Sequence, residues 1–142
     1  MIEIKKAGKN DLAILLELEN LSFSNPWGEN QFLESLEYFH VAKQEGKLAG
    51  FIGIQPIQDE VHILHMAVRP EFRRRGIAKK MMEFALSFPA KKWFLEVRAG
   101  NHSAQKLYES YGFKVISRRR KYYQDNDEDA LIMWKEPAVS PN

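Results

Sequence analysis

No cysteine occurs in the 142 residues of this chain. Disulfides, thiolate zinc sites and a cysteine acyl-enzyme are therefore excluded, so any acyl transfer must use direct attack or another nucleophile. No apolar run approaches the roughly 20 residues that a membrane-spanning helix needs. The start Met1-Ile2-Glu3-Ile4-Lys5-Lys6 also lacks the apolar centre of a signal peptide. A cytoplasmic protein with no membrane partner is expected. A large excess of one charge is missing too: 21 Lys and Arg stand against 19 Asp and Glu, a net charge of +2. Such a balance gives no whole-molecule field for nucleic acid, and direct DNA binding is not expected. Repeats and linkers are absent. What is present is 44% hydrophobic residues in one domain's length, enough for a packed core. A single domain over residues 1–136 and a disordered tail over 137–142 are expected.

The most informative stretch runs from Val61 to Phe88. A β-like run, His62 to Val68, stops at Pro70, which cannot continue a central strand. Arg73, Arg74 and Arg75 follow, and from Gly76 onward Ile77, Met81, Ala85 and Phe88 mark one face of a helix. A helix start leaves unpaired backbone N–H groups, glycine keeps no side chain in front of them, and the arginines add forked donors. The stretch reads as a strand–turn–helix anion site. A Walker-type nucleotide site needs Lys and then Ser or Thr after the glycine, whereas Ile77 and Ala78 stand there. The three spaced glycines of a dinucleotide fold are also missing.

The rest of the chain is organised around this unit. Ile2 and Ile4 alternate with charge, as in a short strand, and Asn10 or Asp11 can cap a helix carrying Leu12, Ile14, Leu15, Leu16, Leu18 and Leu21 on a broad apolar face. A turn-rich loop from Ser22 to Gly28 holds Phe23 and Trp27, which either line a cleft or cover the core, and a short helix follows from Glu29 to Tyr38. Val41–Lys43 and Leu48–Ile54 read as a hairpin about Glu45-Gly46-Lys47, with Gly50 and Gly53 marking close packing or a bulge. Pro56 to Glu60 turns the chain into the strand before the arginines. Lys92 to Val97 is the next strand, so a right-handed βαβ crossover with parallel neighbours is expected. Asn101 begins a helix with Ala104, Leu107, Tyr108 and Tyr111 on one face, and Gly112 stops it. Phe113–Ser117 and Ala130–Lys135 form a closing strand pair. Between them lie the basic run Arg118–Lys121, with Tyr122 and Tyr123, and an acidic loop over 125–129. Glu96, in an otherwise apolar strand, is either a base with a raised pKa or the ion-pair partner of Arg98 on the same face. His62 and His65 are three apart on a strand and so cannot share a face, which speaks against a metal site.

Arg73-x-x-Gly76-x-Ala78 resembles the Q/R-x-x-G-x-G/A signature of the GNAT acetyltransferases. The segment Leu95-Glu96-Val97-Arg98-x-x-Asn101-x-x-Ala104-x-x-Leu107-Tyr108-x-x-x-Gly112-Phe113 resembles a block of N-terminal protein acetyltransferases. With Phe23 to Trp27 similar to an F-x-x-P-W loop and Arg119 to Tyr123 to an R-x-Y-Y segment, the likeness covers nearly the whole chain. It points to the bacterial ribosomal-protein-alanine N-acetyltransferase family. The resemblance implies an α/β GNAT fold: a mixed, mostly antiparallel seven-stranded sheet, splayed at its central parallel strands and flanked by four helices. It implies acetyl-coenzyme A as donor and no metal. The backbone of Met66, Ala67 and Val68 would hold the acetyl carbonyl and pantetheine amides, and Arg73, Arg74, Arg75, Gly76, Ile77, Ala78 and Lys79 the pyrophosphate. Ala78 departs from the glycine of many relatives. Asn101 would bond the pantetheine arm, Glu96 would be the base and Tyr108 the acid, and Phe23, Trp27 and Tyr122 would meet the substrate. The implied substrate is the N-terminal alanine of a small-subunit ribosomal protein, with transient ribosome contact through Arg118–Lys121 and the acidic loop. Acetylation of lysines or small amines, a coenzyme A sensor and a ribosome-binding module without turnover are the alternatives.

Overall fold

A computed structural model describes residues 1–23, 26–123 and 128–137. Of the tail expected to be disordered, all but Pro137 lies outside these residues, as do Asp125, Asn126 and Asp127 of the acidic loop. Seven strands, β1 (Ile2–Lys6), β2 (Phe39–Gln44), β3 (Lys47–Ile57), β4 (Glu60–Val68), β5 (Lys92–Arg98), β6 (Lys114–Tyr123) and β7 (Glu128–Lys135), lie in the order β1-β2-β3-β4-β5-β7-β6. Four helices accompany them: α1 (Leu12–Ser22), α2 (Glu29–Ser35), α3 (Ile77–Leu86) and α4 (His102–Ser110). β4 and β5 pair in parallel, and the β1–β2, β2–β3, β5–β7 and β6–β7 ladders are antiparallel. The architecture is the mixed, mostly antiparallel sheet with four helices that the resemblance implied. The chain divides into two compact units, Met1–Gln55 with Leu64–Ser87, and Pro56–Ile63 with Phe88–Asn142.

In the first unit, Glu45 and Gly46 turn the β2–β3 hairpin with φ of 55° and 76°, the left-handed pair that matches strand twist. A register shift at Ala42/Lys43 lies beside the Ala42↔Gly50 pair. Gly50 combines both features expected of it: a Cβ there would stand 2.7 Å from the Ala67 carbonyl oxygen and 3.3 Å from Ile77 Cγ2 and Met81 Cε. The bare backbone at Gly50 therefore lets α3 lie close on β3 and leaves the Ala67 carbonyl in place. Gly50→Ala is expected to destabilise the protein by about 1–3 kcal/mol through overpacking, read as a lower urea midpoint.

Two local expectations need correction. Neither Asn10 nor Asp11 caps α1 through its side chain; a 3-10 turn over Lys9–Asp11 comes first, and Asp11 Oδ2 instead accepts from Gly8 N at 2.9 Å. The extra turn starts at Gly8, so Asp11 occupies the third position and its carboxylate reaches back. The apolar face of α1 is also narrower than its leucines indicate. Leu15 and Leu18 are fully buried and Leu12 and Leu16 pack at the core margin, while Ile14 and Leu21 are exposed, because a helix on a sheet buries one stripe only.

In the second unit, Glu60–Ile63 of β4 pair with Lys92–Leu95 of β5. Pro56 lies within β3 rather than in the turn, which contracts to Gln58 (φ 55°) and Asp59. The basic run is not a connection: Arg118–Lys121 belong to β6, the edge strand. Asp129 accepts from Arg118 Nε and, at 2.9 Å, from Lys121 N. These bonds hold its carboxyl below the usual range, the Lys121 N–H contributing most. Charge along an exposed edge also blocks pairing with other chains. Asn101 caps α4 by accepting from Ala104 N at 3.2 Å, and Gly112 ends it at φ 95°.

Candidate active site

The candidate anion-binding turn lies wholly in the first unit. After β4, Pro70–Phe72 form a 3-10 turn, Arg74 takes φ 63°, and Gly76 takes φ 83° immediately before α3. The reason for glycine is conformational: a Cβ at Gly76 would meet nothing within 4 Å, but its left-handed φ disfavours any L side chain. Among the described residues no side chain caps this helix, so the N–H groups of its first turn remain for a ligand. Arg73, Arg74, Arg75 and Lys79 are exposed around them. Arg75 also stands 5.0 Å from the Phe72 ring centre and 3.9 Å from Glu45 Oε1. Arg69 has a different role, bonding Leu48 O and Glu17 Oε1 at 3.1 and 3.0 Å. Ile77, Met81, Met82 and Ala85 anchor α3 in the core, whereas Phe88 falls beyond the helix end. The residues present suit a pyrophosphate: a helix start, a left-handed glycine and several exposed cations.

The candidate base lies in the second unit. Leu95 and Val97 are buried and Glu96, between them, faces the other way and is exposed. Its Oε2 accepts from the Tyr123 hydroxyl at 3.4 Å. Partial desolvation raises the Glu96 pKa above its ordinary value, while Arg119 and the Tyr123 bond pull it back. Tyr123 is pushed up in turn, first by desolvation and then by the charge of Glu96. Arg98, the ion-pair partner considered for Glu96, instead lies 3.4 Å from Glu128 Oε1 and 3.9 Å over the Tyr123 ring. Glu128 Oε2 also accepts from Gly100 N at 2.6 Å. The sequence reading named Tyr122 for the substrate and missed Tyr123, although the R-x-Y-Y segment contains both. Tyr122 is exposed, with Arg119 5.3 Å from its ring centre. Glu96 takes the Tyr123 hydroxyl, and the Tyr122 ring meets that of Tyr123 edge to face with centres 5.3 Å apart.

Tyr108 sits half-buried on α4, its ring 6.1 Å from that of Phe113, and burial pushes its pKa up to about 12. It stays protonated throughout the neutral range. Phe23 and Trp27 belong to the first unit, where both stack on His65, at 4.4 and 4.8 Å between ring centres. Sequence reasoning also missed Glu19, which is fully buried and accepts from Trp27 N at 2.8 Å and from His65 Nε2 at 2.7 Å. A charged residue inside a leucine-rich helix was the signal available for it. His62 turns to Glu60 and stacks on Phe94, so the two histidines face different neighbours.

Tyr123→Phe is expected to move the acid limb of kcat/KM to higher pH. The lost hydroxyl donated to the ionised carboxylate, so without it the proton is held more tightly and the base becomes available later as pH rises. A pH–rate profile on a peptide substrate checks this.

The chain belongs to the acetyltransferase (GNAT) family, whose model matches residues 12–113, and is an acetyl-coenzyme A-dependent N-acetyltransferase. Among its relatives, the ribosomal protein bS18-alanine N-acetyltransferase of Escherichia coli K12 is 34% identical over 142 residues, spanning 94% of this chain and 96% of that protein. A Bacillus subtilis protein provisionally named for the same activity is 37% identical over 133 residues, 87% of this chain and 88% of its own length. The crystal structure of the E. coli ribosomal-protein-S18-alanine N-acetyltransferase superposes with a TM-score of 0.86 at 31% identity, covering 99% and 97% of the two chains. Ard1 from Thermoplasma volcanium gives 0.89 at 26% identity, covering 97% and 99%.

Proposed function

We propose that this enzyme moves acetyl from acetyl-coenzyme A to the α-amino group of an N-terminal alanine on a small-subunit ribosomal protein, by direct attack of the amine on the thioester. The observation that carries the reading is Glu96, an exposed carboxylate between two buried strand residues, bonded by a tyrosine hydroxyl and raised in pKa by desolvation. The names of the E. coli and B. subtilis relatives support the choice of substrate.

In this reading the Gly76 turn, with Arg73, Arg74, Arg75, Ile77, Ala78 and Lys79, holds the pyrophosphate. Backbone groups of Met66, Ala67 and Val68 hold the pantetheine and meet the charge that develops on the carbonyl oxygen. Asn101 contacts the pantetheine arm, and Phe23, Trp27 and Tyr122 contact the peptide. As the N–C bond forms, Glu96 takes the amine proton; as the C–S bond breaks, Tyr108 gives its proton to the departing sulfur. Exchange with water returns both side chains to their starting states. Exposed cations on β6 make the transient ribosome contact.

Amine basicity favours an N-terminus over a lysine. At pH 7 an α-amino group of pKa near 8 is roughly a tenth neutral, and a lysine near 10.4 only a few times in ten thousand. A moderately perturbed carboxylate suits the first task. The test is acetyl transfer to free peptides beginning Ala, Ser or Met, beside an N-blocked peptide with an internal lysine, followed by thiol release and product mass. Preference for the Ala-start peptide is expected. Reaction of the lysine peptide alone overturns the substrate assignment, and acetyl-coenzyme A binding without transfer to any amine identifies a sensor.

A further inference from the structure

His65 stands between Phe23 and Trp27 in a three-ring stack, with ring centres 4.4 Å and 4.8 Å away and interplanar angles of 28° and 8°. Its Nε2 donates to Glu19, at 2.7 Å from Oε1 and 2.9 Å from Oε2. Glu19 has no exposed surface, and its Oε2 also accepts from Trp27 N at 2.8 Å. One buried carboxylate therefore fixes the imidazole and the backbone of one flanking aromatic together. A buried carboxylate is costly unless bonded, and loss of the His65 donor leaves Glu19 with the Trp27 N–H alone. Trp27 is braced further by Phe32 and Phe39, with ring centres at 5.3 and 5.7 Å. About a sixth of the His65 side chain, 17%, remains exposed, so the ring edge is reachable from solvent while its faces are covered.

We infer that His65 is a positioning residue that sets which first side chain the enzyme accepts, by holding Phe23 and Trp27 one imidazole apart. This rests on the reading that these two aromatics meet the peptide. The physical argument is one of volume. Three stacked rings form a rigid wall suited to a small first residue such as alanine. Removing the middle ring opens a space that a longer, flexible side chain can fill and a methyl group cannot. Apolar pockets discriminate by such differences, about 10- to 200-fold for one methylene.

The experiment compares kcat/KM for Ala-, Ser-, Met- and Leu-start peptides in wild type, His65→Ala and His65→Gln, with KM for acetyl-coenzyme A measured alongside. Thermal melting reports whether each variant folds. His65→Gln keeps an N–H donor for Glu19 while deleting the ring, which guards against simple unfolding. In both variants the Ala/Met ratio is expected to fall about tenfold or more, carried by peptide KM, with KM for acetyl-coenzyme A unchanged. The double variant His65→Phe/Glu19→Gln restores a central ring and removes the carboxylate that would lose its His65 donor, and should recover most of the ratio. A folded single variant with an unchanged ratio overturns the inference, as does a parallel loss on all peptides. A wild type that acetylates no free N-terminus overturns the underlying reading and this inference with it, and is distinguished because it shows before any variant is compared.

Discussion

Glu96→Gln is expected to lower kcat/KM for an Ala-start peptide by about 10²- to 10⁴-fold, the range in which a positioned general base contributes. The amide keeps the shape and can still meet the Tyr123 hydroxyl, but it cannot take a proton. Because Glu96 is exposed on β5 while its neighbours Leu95 and Val97 are buried, the change should leave the fold and acetyl-coenzyme A affinity nearly untouched. Thiol release measured from pH 4 to 9 separates the causes. In wild type the rate climbs first as Glu96 loses its proton and again as the amine does. In Glu96→Gln the first limb should vanish and the amine limb remain. A variant within twofold of wild type removes Glu96 from the mechanism.

Phe32→Ala should cost about 3–5 kcal/mol, the range for deleting a buried aromatic. Phe32 is fully buried, and its ring lies 5.3 Å from those of Trp27 and Phe39 and 5.7 Å from that of Phe51, the last two pairs edge to face. Such pairs add to burial. For a chain of this size the melting temperature should fall by on the order of 10 °C or more. Thermal unfolding followed by circular dichroism measures it. Since Trp27 loses a packing partner, peptide KM should rise in whatever fraction stays folded. A fall of only 1–2 °C would mean that the aromatic cluster relaxes around the hole.

The turn at Gly76, the Asn101 cap, the Gly112 stop and the Glu45-Gly46 hairpin were legible because each depends on the conformation of a few adjacent residues. Glycine at positive φ and asparagine at a helix start carry that information in their own chemistry. Prediction failed where a second local solution was equally good. Asp11 could cap α1 directly or reach back to Gly8, and only the 3-10 turn decides between them. Arg118–Lys121 read as a connection because a basic run has no strand pattern; β6 takes it in as an edge strand, with Asp129 bonded to Arg118 and Lys121. Tyr122 and Tyr123 were indistinguishable until the hydrogen bond from the Tyr123 hydroxyl to Glu96 separated them.

By itself the sequence determined the order of elements and the glycine turn before α3, which rest on spacing within a dozen residues, while it left Glu96 as either a base or the partner of Arg98 until the family resemblance favoured the base. Only the tertiary structure decided the partners: Tyr123 for Glu96, 27 residues away, and His65 for Glu19, 46 residues away. The reason is that a local signal is a preference of the backbone for one conformation, whereas a contact between distant side chains follows from strand register and core packing. Those are settled by the burial of many residues at once, with no single residue carrying the instruction.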